Sequence, residues 1–228
     1  AGPKMLAVLL MLAAGSARAE IHQHAYDLVV YGATPSGIAA AVEGARHGLS
    51  VALVEPGSHV GGMVAGGLSR TDHGDKAVIG GLALEFFQRV GQRYGEPVEW
   101  NFEPHAASFV FDQMLREAHV DLYLDSPILE QGGVEKQGTS IRALDTGSGQ
   151  RLLGKVFVDA SYEGTLMGAA GVSYTWGREA ADKYGESLAG FRGLWGLREK
   201  DENFTTLVSP FTASGALLPG VQPAEETQ

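Results

Sequence analysis

"VVYGATPSGIAAAVEGA", residues 29–45, is the stretch on which the fold turns. It closes the apolar run "YDLVVYG" (26–32), which reads as a short buried strand ending at Gly32. The helical spacing of "PSGIAAAVEGARHG" follows, with small residues on one side and a stop at Gly48. Between them, Gly32-Ala33-Thr34-Pro35-Ser36-Gly37 nearly spells the G-x-G-x-x-G loop that cradles a dinucleotide pyrophosphate, with Thr34 in place of the middle glycine. Gly32 supplies the tight turn and Gly37 the close packing of helix on strand. Thr34 is a good N-cap, Pro35 suits the first helical position, and Ser36 adds a hydroxyl beside the exposed N–H groups. The anion site at the helix N-terminus therefore survives, with less clearance because Thr34 carries a Cβ.

Working outward, "LSVALVE" (49–55) is a second apolar strand ending at Glu55, so strand, loop, helix and strand form a βαβ unit with a right-handed crossover. Glu55 lies eighteen residues after Gly37, where a carboxylate accepts hydrogen bonds from ribose hydroxyls and repels a 2′-phosphate. Beyond it come a glycine-rich loop (57–74), an amphipathic helix over 77–95, a helix after Pro104, and a third strand at "VDLYLDS" (120–126). The runs "PILEQGG", "TSIRALDTGSG" and "QRLLGKVFVDAS" predict an antiparallel meander before the chain returns to the parallel sheet at "KVFVDAS". The fold class expected is α/β: a Rossmann-like domain with a parallel sheet and a meander crossover, over residues 20–171. Aromatics, charges and loops from 172 to 228 predict the start of a second, substrate domain that looks truncated.

Composition narrows the function classes. The 228 residues are 44% hydrophobic and 19% charged, the profile of a globular chain. A net charge of 17 − 27 = −10, with no basic cluster, argues against nucleic acid as a partner. There is no cysteine, which removes disulfides and thiolate metal sites. Lys4, the apolar run Met5–Ala14 and the small residues Ala17-x-Ala19 have the layout of a Sec-type signal peptide cleaved after Ala19. The run is too short to span a bilayer, so export to the periplasm or medium is expected, without a stable membrane anchor.

The loop and its acid fit both FAD and NAD, because each presents an ADP half. Downstream, "EPGSHVGGMVAGGL" (55–68), "FVDASYEG" (157–164), "GVSYTWGREA" and "KYGESLAG" complete a pattern that resembles the FAD-dependent oxidoreductases of the glutathione-reductase-like flavoprotein superfamily, especially a bacterial branch. The resemblance runs from Tyr26 to about Gly190, with "GATPSG" standing for that superfamily's G-G-G-P-A-G loop. It implies FAD as cofactor, with Glu55 on the adenosine ribose and Gly61, Gly62 and Met63 passing close to the pyrophosphate and flavin. It also implies that Asp159, Ala160 and Gly164 lie near the ribityl-pyrophosphate region. Thr34 departs from the pattern, and Ser161, Tyr162 and Glu163 depart from the superfamily's D-A-T-G-x-G.

Plainer readings stand beside these. Asp159 also suits a turn-forming aspartate, and Gly61 and Gly62 also suit loop punctuation. Asp72 and His73 form an acid–base candidate, His73 the weak catalytic one. His105 is a lesser candidate. His22 and His24 lack a third ligand for a metal site, and none is expected. Trp176, Arg178 and Glu179 could line a substrate pocket. Three functions follow: an exported FAD-dependent oxidoreductase taking a hydride from a small-molecule substrate and passing electrons to an unidentified acceptor, an NAD-dependent dehydrogenase, or an inactive truncated nucleotide-binding module. The NAD reading predicts a second mononucleotide-binding half of alternating strands and helices, so that a six-stranded, all-parallel sheet would favour it.

Overall fold

A computed structural model describes residues 22–67, 74–175, 181–186 and 212–216. The expected signal peptide 1–19, Asp72, His73, Trp176, Arg178 and Glu179 lie outside the described residues. The chain divides into two compact units, Ala1–Val172 and Ser173–Gln228. In the second, the described elements are a short helix at Ala181–Tyr184 and a turn at 212–216.

The first unit is built on β1 (His22–Tyr31), α1 (Pro35–Arg46) and β2 (Val51–Val54). Leu28 and Val30 point to one face of β1 while Val29 and Tyr31 point to the other, and all four are buried. A strand covered on both faces belongs in the interior of a parallel sheet, and β1 pairs in parallel with β2 in the register Leu28↔Val51 to Tyr31↔Val54. α1 packs close because its contact side is small: a Cβ on Gly44 would stand 2.8 Å from the Leu28 side chain. β3 (Asp121–Tyr123) extends the parallel sheet beside β2.

A hairpin of β4 (Val134–Gln137) and β5 (Ser140–Asp145) then leads into β6 (Gln150–Asp159). The order is β3-β2-β1-β6-β5-β4, six strands with β4 and β5 antiparallel. The expected return to the parallel sheet occurs within one strand: β6 pairs with β5 over Arg151–Leu153 and runs parallel to β1 along Gln150–Asp159. The all-parallel sheet that would favour the NAD reading is not what the described residues form.

Three local readings are corrected. The helix expected over 77–95 is a 3₁₀ turn at Lys76–Val78, an extended break, and α3 (Gly81–Tyr94), because Gly80 takes an extended backbone and starts the helix afresh. The glycine-rich loop contains α2, a single turn at Gly62–Ala65. "PILEQGG" forms only an isolated bridge, Ile128↔Thr146, and the strand lies instead at the polar stretch Val134–Gln137.

α3 and α4 (Pro104–Glu117) cover the sheet face that carries α1, through Phe86, Val90, Val110, Phe111 and Met114. The opposite face buries Tyr26, Tyr31, Ile128, Leu144 and Leu152, with Leu166 from α5 (Thr165–Ala169). Both faces are thus closed, and the carboxyl ends of β1, β2 and β6 come together at one edge of the sheet, where open α/β sheets bind ligands.

Candidate cofactor site

At that edge three loops meet: residues 32–37 between β1 and α1, 55–63 after β2, and 159–164 after β6. Gly32 has φ +100°, and a side chain there would drive its Cβ to 2.7 Å from the Ser161 nitrogen. Gly37 approaches so closely that an added Cβ would sit 1.9 Å from the Gly32 carbonyl and 3.0 Å from the Ala160 methyl. The two outer glycines of the motif therefore admit the β6 loop as well as the helix.

Thr34 caps α1 as expected, its side chain accepting from the Gly37 N–H at 3.2 Å. It also does something the motif did not show. The hydroxyl is buried and donates to the Ala160 carbonyl at 2.8 Å, joining the glycine loop to the end of β6. A hydroxyl has one proton, so the 2.9 Å contact with Ser36 is a bond donated by the serine. Pro35 occupies the first turn, and Ser36 is exposed.

The remaining backbone donors can be accounted for. Gly32 N–H donates to the Val54 carbonyl at 2.7 Å, Ala33 N–H to Glu55 Oε2 at 2.7 Å, and Ile38 N–H to the Thr34 carbonyl at 2.9 Å. The N–H groups of Thr34 and Ser36 donate to no group among the described residues. They stand at the positive end of a twelve-residue helix, an arrangement suited to an anion.

Glu55 stands directly after β2. Its second oxygen accepts from the Gly57 N–H at 2.8 Å, so the carboxylate braces both the glycine loop and its own turn. An ionised carboxylate accepts about four hydrogen bonds, leaving capacity for further donors. Gly61 donates to the Ala33 carbonyl at 2.7 Å, fixing the second loop against the first. Gly62, with φ +47°, opens α2, and Met63 is half exposed.

Asp159 shows the turn-forming role foreseen as its plainer reading. Oδ1 accepts from the Ser161 N–H at 3.0 Å and its hydroxyl at 2.7 Å, while Oδ2 accepts from the Met167 N–H at 2.8 Å. Ala160 presents its carbonyl to Thr34 and its methyl to Gly37. Gly164 caps α5 in the left-handed region.

Tyr162, noted in the sequence only as a departure, accepts the Met63 N–H at 2.8 Å. No sequence signal separates this tyrosine from an ordinary exposed one, because its partner is 99 residues away. Below the site, burial pushes the Tyr31 hydroxyl up, with a smaller contribution from the Glu55 and Asp159 carboxylates. Tyr31 stays neutral and accepts the Ile128 N–H at 3.3 Å.

A pocket of about 310 Å³ adjoins the start of α1, with an almost wholly apolar lining that includes Pro35, Ser36, Val64, Phe86, Phe111 and Met114. His105 is exposed in the first turn of α4, and His22 and His24 are exposed at the start of β1. Among the described residues no cluster of histidine and carboxylate side chains could hold a metal, and no helix is long and apolar enough to cross a membrane.

A family model described as FAD dependent oxidoreductase matches residues 27–214. Among solved structures, the flavin-dependent brominase Bmp2 shares the fold at 18% identity and a TM-score of 0.51, over 65% of this chain and 41% of its own. Thioredoxin reductase from T. acidophilum is similar at 16% identity and a TM-score of 0.41, over 59% of this chain and 34% of that one. L-proline dehydrogenase from P. horikoshii is similar at 22% identity and a TM-score of 0.39, over 62% of this chain and 23% of that one. The chain thus corresponds to less than half the length of each of these three structures. No curated protein sequence matches it.

Proposed function

The chain belongs to the FAD dependent oxidoreductase family, and from that premise we propose that its first unit is the FAD-binding part of an exported oxidoreductase acting on a small-molecule substrate. The observation that carries the reading is the pair of N–H groups at Thr34 and Ser36, which donate to no group among the described residues and stand at a helix N-terminus. In this reading the loop Gly32–Gly37 holds the pyrophosphate and Glu55 accepts from the adenosine ribose hydroxyls. Gly61, Gly62 and Met63, with Asp159, Ala160 and Gly164, border the path toward the ring. Bound FAD would supply two-electron chemistry, while the chain's contribution is to orient the cofactor and exclude water around it.

The test is direct titration of the purified chain with FAD, ADP and NAD, followed by flavin fluorescence and calorimetry. Saturable FAD binding that ADP displaces supports the reading, and preference for NAD over FAD overturns it. The layout of the residues before Glu20 supports export. N-terminal sequencing of protein recovered from the periplasm should begin at Glu20, and an intact leader would remove that part of the proposal.

A further inference from the structure

We propose that Tyr162 is a positioning residue of the cofactor cleft: its hydroxyl is the N-terminal cap that α2 lacks, and it fixes the Gly61–Met63 segment in the form that receives the cofactor. The inference rests on the FAD reading above and adds a residue whose position, in the superfamily's motif, carries a glycine.

The cap residue of α2 is Gly61, in the left-handed region and without a side chain to accept from the first turn. A helix start leaves several N–H groups without intrahelical partners, and Met63 carries one of them. The partner comes from the β6–α5 loop: Tyr162 Oη accepts the Met63 N–H at 2.8 Å. The fit is close, since a Cβ on Gly62 would lie 2.3 Å from the same oxygen. Gly62 therefore makes room for the tyrosine, and the tyrosine completes the turn that Gly62 opens. The side chain is half exposed, and its oxygen rather than the burial of its ring makes this connection. Two loops bordering the cleft are joined by this bond, which together with the Gly61 N–H on the Ala33 carbonyl limits how far Gly61–Met63 can open.

The experiment compares the parent chain with Tyr162→Phe, which keeps the ring and removes the acceptor. Three quantities are measured: the exchange rate of the Met63 amide without cofactor, the Kd for FAD, and the thermal midpoint without cofactor. The expected result is Met63 exchange and an FAD Kd each raised by about tenfold, with the midpoint unchanged. Tyr162→Ala, which also removes the ring, should weaken FAD binding to a similar extent. An unchanged Met63 exchange rate, or FAD binding by Tyr162→Phe equal to the parent's, overturns the inference alone. A fall in the midpoint with amides exchanging faster throughout the unit overturns it in favour of a general packing role. Failure of the parent chain to bind FAD overturns the cofactor reading and this inference together.

Discussion

Thr34 makes one hydroxyl serve three partners, and this is why a threonine can stand where the motif has glycine. It accepts from Gly37 and Ser36 and donates to Ala160, in a place shielded from water. Thr34→Val keeps the shape and deletes the oxygen, leaving the Gly37 N–H and the Ala160 carbonyl without this partner. Loss of a cap together with an unsatisfied buried acceptor costs about 1–3 kcal/mol. Urea unfolding should show that loss in Thr34→Val, and Thr34→Ser, which restores the oxygen, should recover most of it. A valine variant as stable as the parent would mean that water replaces the hydroxyl, and the loop would not be tied to β6 as described.

Among the elements, α1, α3 and α4 are joined over the sheet by packing and by a chain of charges. Arg46 donates to both oxygens of Glu85 at 2.7 Å, and Arg89 bridges Glu85 and Glu117 at 2.8 and 2.7 Å. Arg46 first, then Arg89, hold the Glu85 carboxyl down to about 2 against the opposing effect of burial. Because the folded value lies below the unfolded one, this stabilisation is fully present above about pH 4.5 and is lost as pH falls toward 2. Glu85→Gln should therefore lower stability at pH 7, by about 1 kcal/mol, and flatten the acid limb between those values. An acid limb identical in the two proteins would remove Glu85 from the account.

The helices in this network were legible one at a time. The small residues of α1, the apolar spacing of α3 and Pro104 at the head of α4 each announce an element. Their ion pairing was not legible, because Arg46 and Glu85 are 39 residues apart and nothing local couples them. β4 was missed for a related reason: Glu135, Lys136 and Gln137 are exposed on an outer strand and show no buried alternation. In the site, Gly32, Gly37 and Glu55 were visible because glycine and a strand-terminal acid carry position-specific physics. Tyr162 was not, since its role exists only once β6 and β2 end at the same edge of the sheet.

Across the whole first unit, the three loops of the cleft are joined pairwise in a ring, by a few hydrogen bonds each. Thr34 joins the glycine loop to the β6 loop, Tyr162 joins the β6 loop to α2, and Gly61 joins the α2 segment back to the glycine loop at Ala33. Cutting a ring once leaves every loop connected through the other two contacts. Cutting it twice takes from 159–164 its side-chain links to both neighbours and leaves it held by the Ala160 N–H on the Tyr31 carbonyl and by packing on Gly32 and Gly37. The effects of Thr34→Val and Tyr162→Phe on FAD affinity should therefore exceed additivity. In a double-mutant cycle the pair should lose more than the product of the two single effects, by a coupling of at least about 0.5 kcal/mol, measured as FAD Kd for the parent, both singles and the double. Without cofactor the same cycle in urea should be closer to additive, because the loops then have no shared occupant to hold. Additive FAD affinities would show that the three loops take up the cofactor independently, and the ring would then be a feature of packing with no bearing on binding.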